Sequence, residues 1–217
     1  MKLYHTGNSP YARRPRMAVI EFGLTDKVEV EDCAPLGTDD HVLRNYGPGG
    51  KVPGLLTDNG VFICETLIIL NCLDELSGGK LYPASGQARE EAMALEGLAG
   101  LLMESQFYRA RENRRDASEQ SPGYLESEAA RSARCYDALE AQAAGFGDDV
   151  NMAHLSVVAC LGYADLIGRQ PAVLETLDRR MYGPGGPALV VDVLGLDDLL
   201  HDADLVVRSE EHTSELQ

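Results

Sequence analysis

A chain of 217 residues with 44% apolar residues is long enough for one or two domains with a real core, and too apolar to be disordered. Its formal net charge of −16 disfavours nucleic acid and anionic membranes as partners. We expect a cytoplasmic protein without a membrane segment, disulfide framework or metal site. No apolar run reaches the roughly 20 residues of a membrane helix, no signal-peptide core is evident, and the five cysteines form no C-x-x-C pair.

The N-terminal part of the chain predicts a small α/β domain over residues 1–77. Its predicted elements follow the order β-α-β-α-β-β-α and lie at residues 2–6, 10–22, 28–30, 39–45, 55–56, 61–64 and 65–76. Gly23 is the residue type that ends a helix in the left-handed conformation. Asp58-Asn59-Gly60 is typical of a hairpin turn between the last two strands.

A linker at residues 78–86, rich in Gly, Ser and Pro, leads to a second domain at residues 87–182 that is predicted to be helical throughout. Residues 152–166 are apolar nearly all round, so we expect this helix in the middle of its domain, with Asn151 as its N-cap. An earlier helix carries an apolar stripe at helical spacing, made of Ala129, Ala133, Tyr136, Leu139 and Ala143.

Residues 183–217 differ in character from the rest of the chain, because they hold eight acidic residues against one basic residue, Arg208. Residues 208–217, RSEEHTSELQ, are similar to the translation of a common short-read sequencing adapter. Residues 183–207 contain no Lys or Arg, and we interpret them as frameshifted or atypical; the alternative is a real acidic tail with a short helix. We assign no function to either segment.

Ser9 and Pro10 stand at the junction of the first strand and the first helix. Pro10 suits the first helical position, where no backbone N–H is needed. Ser9 fits two roles. It can cap the helix, or it can donate a hydrogen bond to the sulfur of another molecule at a helix N-terminus that favours negative charge. In the second role both effects lower the pKa of a thiol from its ordinary value of about 8.5.

The segment KVPGLL places Pro53 between the second helix and the third strand. With the element order above, this position indicates a thioredoxin-like fold, in which a cis-proline precedes the third strand. A cis bond turns the backbone N–H and C=O of the preceding residue, Val52, outward, where an extended peptide can pair with them as an added strand does. The alternative is a trans-proline in an ordinary turn.

Four segments carry a resemblance to a known family: MKLYHTGNSPYARRPRMAVIEFGL, GPGGKVPGLLTDNGVFICETLIILNCLDEL, GGKLYP and NMAHLSVVACLGYADL. Together they resemble a bacterial glutathione S-transferase of the serine type, over about residues 1–182. The resemblance implies a thioredoxin-like glutathione-binding domain followed by a helical-bundle domain, in a cytoplasmic homodimer with a role in detoxification. It also implies glutathione as co-substrate, with no metal, and a hydrophobic electrophile as the second substrate.

The resemblance gives roles to residues on three segments of the first domain. Ser9 matches the thiol-activating hydroxyl and would be the catalytic residue. Val52 matches the residue whose backbone pairs with the cysteinyl part of glutathione, and Pro53 matches the cis-proline. Lys51 matches a polar position that often meets the glycyl carboxylate, which a Lys suits by charge.

Glu65 and Thr66 match an acid–serine pair that grips the γ-glutamyl end of glutathione. Glu65 can pair with the ammonium group, while the hydroxyl and backbone N–H groups at Thr66 open a helix, where carboxylates bind readily. The alternative is a simple helix start with an acid in its first turn.

Three departures from the family pattern affect these expectations. Pro15 replaces a residue that usually donates a helical hydrogen bond, so we expect it to kink or loosen the first helix and to disturb Ser9. Thr66 replaces the more usual Ser but keeps the hydroxyl. His154 occupies the N3 position where an acid commonly completes a capping box, which concerns stability alone.

Three functions fit these residues. The first is a glutathione transferase whose electrophile pocket is bordered by Tyr11, Tyr108 and Arg109. The second is a non-catalytic, transferase-like regulatory or binding protein. The third, a glutathione-dependent thiol reductase, requires a Cys where Ser9 stands. We interpret the basic cluster Arg13, Arg14 and Arg16 as a solvated helix face or a set of salt-bridge partners.

Overall fold

The computed structural model describes residues 1–33, 43, 46–47, 49–143, 145–146 and 150–168. Within these residues the chain divides into two compact units, one of them Met1–Arg89 and the other beginning at Glu90. The predicted helix at 39–45, apart from Leu43, lies outside the described residues. So do residues 169–217, which include the tail segments 183–207 and 208–217.

The first unit is built on a four-stranded sheet in the order β2-β1-β3-β4. The strands are β1 (Lys2–His5), β2 (Glu29–Asp32), β3 (Gly54–Leu56) and β4 (Phe62–Cys64), and the helices are α1 (Pro10–Glu21) and α2 (Thr66–Ser77). β1 is parallel to β2 and antiparallel to β3, which is antiparallel to β4. This mixed sheet with its helices is a thioredoxin-like domain, and the predicted fold class of the N-terminal unit is confirmed.

Helix α1 ends where the sequence predicts, at a glycine in the left-handed conformation. Gly23 has φ 68°. The Leu24 N–H donates to the Val19 carbonyl at 2.8 Å and the Gly23 N–H to the Ile20 carbonyl at 3.2 Å. These two bonds form a Schellman motif, which satisfies carbonyls that the last helical turn leaves without partners. Past this motif the chain turns back towards β2.

One face of the sheet is packed around the Phe62 ring. Phe62 stacks on Tyr46, with ring centroids 5.8 Å apart, and Tyr46 in turn stacks on Tyr4 at 6.2 Å. The ring also lies directly against the backbone of Gly54, the first residue of β3. A Cβ atom at Gly54 would lie 2.8 Å from Phe62 Cε2 and nearer still to Cζ, so this position has no room for a side chain.

The described part of the second unit is helical, as predicted. It contains α3 (Gly86–Asn113, which begins at the end of the first unit), a short 3₁₀ turn at Ala117–Glu119, α4 (Pro122–Ala143) and α5 (Met152–Gly168). Most residues described on α5 are buried, as its uniformly apolar sequence predicts. Two side chains of α5 bond to α3, Ser156 to the Glu96 carboxylate at 3.0 Å and Cys160 to the Ala99 carbonyl at 2.9 Å.

The buried face of helix α4 keeps the C-terminal part of the predicted apolar stripe and replaces its N-terminal part with polar groups. Its fully buried positions are Glu128, Ser132, Cys135, Leu139 and Ala143, whereas Ala129, Ala133 and Tyr136 are only half-buried. The Ser105 hydroxyl contacts the Ser132 hydroxyl and donates to the Glu128 carbonyl at 2.8 Å. This hydrogen-bonded contact rotates the buried face by one residue at its N-terminal end, which the apolar pattern alone could not predict.

The N-terminus of α5 is closed by a capping box in which a histidine takes the place of the acid. The Ala153 N–H donates to Asn151 Oδ1 at 2.9 Å, so the predicted N-cap is confirmed. In return, the Asn151 N–H donates to His154 Nδ1 at 3.2 Å. The imidazole therefore supplies the acceptor that a carboxylate supplies in other capping boxes. Only a neutral His154 can do so, because a proton on Nδ1 occupies the accepting lone pair.

Substitution of His154 by Gln should remove a pH dependence of stability. Burial lowers the pKa of folded His154 below its ordinary value of 6.5, so the unfolded chain takes up the proton first. The stabilising contribution is complete above about pH 6.5 and is lost as the pH falls from there towards the folded pKa. Urea unfolding from pH 8 to 5 should show the stability of the wild type falling relative to His154→Gln.

Both proteins in that comparison keep His5, whose pKa is also lowered, first by burial and then by the charge of Arg16. The difference between their pH profiles therefore isolates His154. Parallel profiles from pH 8 to 5 would contradict the assigned role of the imidazole. His154→Ala should lose about 1 kcal/mol at pH 8, the size of a typical capping bond.

Substitution of Gly54 by Ala should destabilise the first unit by about 1–3 kcal/mol, because the added methyl group overpacks the site against Phe62. Thermal or urea unfolding measures the change. Gly123→Ala on α4 is the matched control, since a Cβ there meets nothing within 4 Å. Adding Phe62→Leu to Gly54→Ala should restore part of the loss; equal stability of Gly54→Ala and wild type would refute the contact.

Candidate functional site

Strand register brings three separate segments of the chain to one edge of the sheet. Tyr4 pairs with Gly54, and Gly54 pairs with Cys64 on the other side. Because the strands are antiparallel, the end of β1, the start of β3 and the end of β4 lie side by side. The residues that follow β1, precede β3 and follow β4 are those around Ser9, Val52–Pro53 and Glu65–Thr66. We call this edge, with residues 6–11, 51–53 and 64–68, the site edge.

Ser9 is half-buried and caps helix α1 at the site edge. The Ala12 N–H donates to Ser9 Oγ at 3.2 Å. A tight turn presents the residue, with the Ser9 N–H donating to the Thr6 carbonyl at 3.2 Å. In the capping bond the Ser9 oxygen is the acceptor, so its own hydrogen is not used there and can be donated to another atom. The capping role and a role as donor are therefore compatible.

The second segment of the site edge contains the bond predicted to be cis. The Val52–Pro53 peptide bond is cis, as expected. Pro53 is buried, and Val52 is half-buried and packs against the cluster of Tyr4, Cys33 and Leu43. Lys51 is exposed immediately before them. The side chain of Lys51 is therefore free to reach a ligand bound at the rim of the site.

Glu65 begins helix α2 in a backbone conformation that is unfavourable for an L-amino acid. Its φ is 71°, and it is the one non-glycine residue with positive φ in the described part of the chain. Such conformations cost on the order of 1–3 kcal/mol and are concentrated at functional sites. The Glu65 side chain is exposed and makes no capping bond to its own helix. Its carboxylate is therefore available at the site edge.

Thr66 is buried, and its hydroxyl is turned towards helix α1. Its Oγ1 donates to the backbone carbonyl of Tyr11 at 3.3 Å, and the residue is only 6% exposed. Sequence reasoning placed the Thr66 hydroxyl at a ligand and missed this contact. The signal was present at Pro15, which lies four residues after Tyr11 and has no N–H to donate to the Tyr11 carbonyl. Helix α1 nevertheless runs through Pro15 to Glu21.

The electrostatics of the site edge favour bound anions. Two helices, α1 and α2, begin there, and neither has an acidic residue in its first turn. The N–H groups and the dipole at the start of α1 therefore attract negative charge, whereas at α2 the carboxylate of the N-cap residue Glu65 offsets part of this attraction. The basic cluster of α1 is not a fully solvated face as one interpretation held, because Arg14 is only 3% exposed. Arg13 and Arg16, on the same helix, are half-buried.

Most cysteines in the described residues do not provide an activated thiol at α1. Burial raises the pKa of the Cys33 thiol to about 11, with the charges of Asp32 and Glu31 adding to the effect. Burial likewise raises the pKa of Cys72 and Cys135. Cys64 is exposed and lies within the site edge. The buried thiols are therefore unsuited to act at the Ser9 end of the site, which leaves Cys64 or a thiol of another molecule.

The three residues expected around an electrophile belong to two different units. Tyr11 follows Pro10 in the first turn of α1. Tyr108 and Arg109 are neighbours on α3, where the Tyr108 hydroxyl donates to Glu104 Oε1 at 3.5 Å. Burial lowers the pKa of Arg109, although the residue stays charged at neutral pH. Their common membership of one pocket stays a prediction.

The described part of the chain contains no cluster of three or more His, Cys, Asp or Glu side chains arranged to hold a metal ion. None of its helices combines the length and apolarity needed to cross a bilayer.

Known proteins with similar sequences and folds are glutathione transferases or resemble them. Residues 8–76 match the family model of the glutathione S-transferase N-terminal domain. The chain is 27% identical over 167 residues to the "Uncharacterized GST-like protein YibF" of Escherichia coli (strain K12), covering 75% of this chain and 81% of that protein.

Two solved structures extend the similarity to most of the fold. A glutathione transferase family member from Pseudomonas fluorescens Pf-5 with bound glutathione is 26% identical, with a TM-score of 0.68 over 81% of this chain and 97% of that one. A glutathione S-transferase from Methylobacterium radiotolerans JCM 2831, in complex with glutathione sulfonate, shares the fold at 21% identity, with a TM-score of 0.68 over 89% and 93%.

The fold and the site edge together define a thioredoxin-like domain followed by a helical domain, the architecture of the glutathione transferases. The chain is thus similar to glutathione S-transferases in its N-terminal domain and in its fold, and the resemblance seen in its sequence is confirmed.

Proposed function

We propose that this protein is a glutathione transferase that binds glutathione along the site edge and conjugates its thiolate to a small electrophile. The observation that carries the proposal is the strand register, which aligns Ser9, Val52–Pro53 and Glu65–Thr66 at one edge. A relative with the same fold, at 26% identity, has been solved with glutathione bound. A tripeptide can span these three segments if each holds one part of it.

Ser9 is the proposed catalytic residue, acting on the thiolate. Its oxygen is held by the Ala12 N–H, which directs its hydrogen away from the helix and towards a sulfur at the site edge. A hydrogen bond to the thiolate and the positive end of α1 both favour the charged form and so lower the thiol pKa. The thiol proton leaves to solvent. A lone pair of the thiolate sulfur then forms a bond to the electrophilic carbon, and the electron pair of the bond that breaks at this carbon stays on the electrophile or departs with its leaving group.

The other parts of glutathione are assigned to the remaining segments. The backbone of Val52 beside Pro53 would pair with the cysteinyl residue, and Lys51 would meet the glycyl carboxylate. Glu65 would pair with the γ-glutamyl ammonium group, and the first turn of α2, opened by Thr66, would receive the α-carboxylate. The exposed Glu65 side chain and the acid-free first turn of α2 support these two assignments.

A non-catalytic binding or regulatory protein is the alternative, since the fold alone does not specify an activity. It predicts either no retention on glutathione or retention without turnover. A thiol reductase is disfavoured, because Ser9 stands at the position where that chemistry needs a cysteine. We also infer a cytoplasmic location, since none of the described cysteines forms a disulfide, as expected in a reducing compartment.

We further infer a homodimer, which the family resemblance implies. Each described unit exposes large apolar side chains. Leu67 and Ile68 on α2 are 58% and 55% exposed, and Met93 and Leu101 on α3 are 60% and 51% exposed. Apolar groups this exposed on ordered helices are suited to burial by a second copy.

Substitution of Ser9 by Ala should reduce kcat/KM for conjugation roughly 10- to 100-fold, because the thiolate loses a hydrogen bond to a charged acceptor. The pH midpoint of kcat/KM should rise towards the ordinary thiol pKa of about 8.5. A panel of electrophiles provides the assay, and the ultraviolet absorbance of bound thiolate reports the pKa directly.

Ser9→Asp separates capping from catalysis. An aspartate caps the helix as well as a serine does, but it has no hydrogen to donate and repels a thiolate. It should therefore retain thermal stability and lose activity, whereas Ser9→Thr should retain both in large part. Turnover that is unchanged in Ser9→Ala would show that another donor activates the thiol.

Introducing charge at the exposed apolar positions of α3 should dissociate the dimer. The double variant Met93→Glu with Leu101→Glu should halve the mass measured by light scattering at micromolar protein concentration. Ala88→Glu, which adds the same charge at another exposed position of α3, is the control and should leave the mass unchanged. A wild type of monomer mass would contradict the inference outright.

A further inference from the structure

One hydrogen bond joins the two helices that begin at the site edge. Thr66 Oγ1, at the start of α2, donates to the carbonyl of Tyr11, in the first turn of α1. In an α-helix the carbonyl of residue 11 accepts from the N–H of residue 15. Residue 15 is a proline, which has no N–H. The threonine hydroxyl therefore supplies a donor to the carbonyl that Pro15 cannot serve.

We propose that Thr66 is a positioning residue whose hydroxyl links α2 to α1. The Tyr11 carbonyl of α1 accepts from this hydroxyl because Pro15 has no N–H to donate to it. This proposal rests on the proposed function where it concerns glutathione. The α-carboxylate of the γ-glutamyl group is then held by main-chain N–H groups in the first turn of α2, without the hydroxyl. The family role of the hydroxyl as a ligand donor is replaced here by a structural link.

Hydrogen counting separates the two roles. A hydroxyl carries a single hydrogen, so Thr66 cannot donate fully to the Tyr11 carbonyl and to a carboxylate at the same time. The residue is 6% exposed, which makes loss of its buried bond unfavourable. Release of the hydroxyl to a ligand would remove from the Tyr11 carbonyl the donor that stands in for the N–H that Pro15 lacks.

A threonine at position 66, instead of a serine, is better suited to a fixed hydrogen bond with the Tyr11 carbonyl than to a contact that forms only when a ligand binds. A β-branched side chain is restricted about χ1, so the hydroxyl is held in one direction at a small entropy cost. The chain segments joined by this bond carry Ser9, at the proposed position of the thiol, and Glu65, at the proposed γ-glutamyl end of the binding site. Pro15 therefore affects the γ-glutamyl end of the site although it lies in the middle of α1.

A double-mutant cycle on stability tests the link without any ligand. Thr66→Val keeps the shape and removes the hydroxyl, and it should lower the Tm by about 2–4 °C in the parent protein. Pro15→Ala restores an N–H donor to the Tyr11 carbonyl. In that background Thr66→Val should lower the Tm by less than half as much, and Thr66→Ser should behave nearly as the parent in both.

Ser77→Ala is the matched control for the cycle. The Ser77 hydroxyl also donates to a backbone carbonyl, that of Asp74 at 2.7 Å, but at the opposite end of α2. Its effect on the Tm should be the same in the parent and in the Pro15→Ala background. Additive effects of Thr66→Val and Pro15→Ala would overturn the link, because groups that share one bond must show coupling.

Glutathione titration by calorimetry tests the consequence for the ligand. In the parent, Thr66→Val should weaken the binding of glutathione by less than tenfold, because the main-chain N–H groups of α2 still hold the carboxylate. Pro15→Ala frees the hydroxyl, so it should tighten binding about three- to tenfold, and Thr66→Val should reverse that gain. A loss of binding of more than tenfold on Thr66→Val in the parent would overturn the proposal, because the hydroxyl would then be a ligand donor.

Failure of the proposed function would be distinguished from failure of the link. If no variant binds glutathione while the stability cycle is coupled, the link is supported and glutathione binding is refuted. If glutathione binds while the stability cycle is additive, the proposed function stands and the link is refuted.

Discussion

The pairing of three strands in one register is the constraint on which the candidate site depends. Tyr4, Gly54 and Cys64 lie in one row across β1, β3 and β4, so Ser9 is brought to the same edge as segments that begin more than 40 residues further along the chain. Gly54 permits this row because Phe62 occupies the space that a side chain would fill. Gly54 therefore affects both the packing on the sheet face and the pairing that brings these segments to the site edge.

Two helix N-termini at that edge give it a definite electrostatic character. In the proposed binding mode, the thiolate and the γ-glutamyl α-carboxylate of glutathione would each meet a helix start without an acid in its first turn. In the strongly acidic protein, with a net charge of −16, such local positive ends are where an anionic peptide can still be held. The positive φ of Glu65 belongs to this arrangement, because it turns the chain from β4 directly into α2.

Much of the first unit was predictable because its signals are local. Gly23, the Asp58-Asn59-Gly60 turn and Pro53 each determine the backbone within a few residues, and the structure bears out the Schellman end and the cis bond. At the turn, Gly60 has φ 77°. The described strands and helices of this unit follow the predicted order, with ends that shift by one or two residues, and the predicted helix at 39–45 lies outside them apart from Leu43.

The interactions missed by sequence reasoning are those between distant residues. The Thr66–Tyr11 bond spans 55 positions, and nothing near Thr66 in the sequence indicates which way its hydroxyl turns. The Ser105–Ser132 contact moved the buried face of α4 because a polar pair can be as well satisfied in a helix interface as an apolar one. The burial of Arg14 likewise depends on surroundings that local patterns do not contain. The accepting role of His154 is different, because its partner Asn151 lies only three residues away.

The length of the β3–β4 hairpin loop also determines the register of β4 and hence the geometry of the site. Its turn is closed by bonds from the Thr57 N–H to the Val61 carbonyl and from the Gly60 N–H to the Thr57 carbonyl. Since side chains alternate between faces, inserting or deleting a single residue in this loop would slide β4 by one position and invert every side chain on it. Phe62 would leave its place against Gly54, and α2 would start from the wrong side. Insertions and deletions in homologous sequences should therefore be absent from residues 57–61.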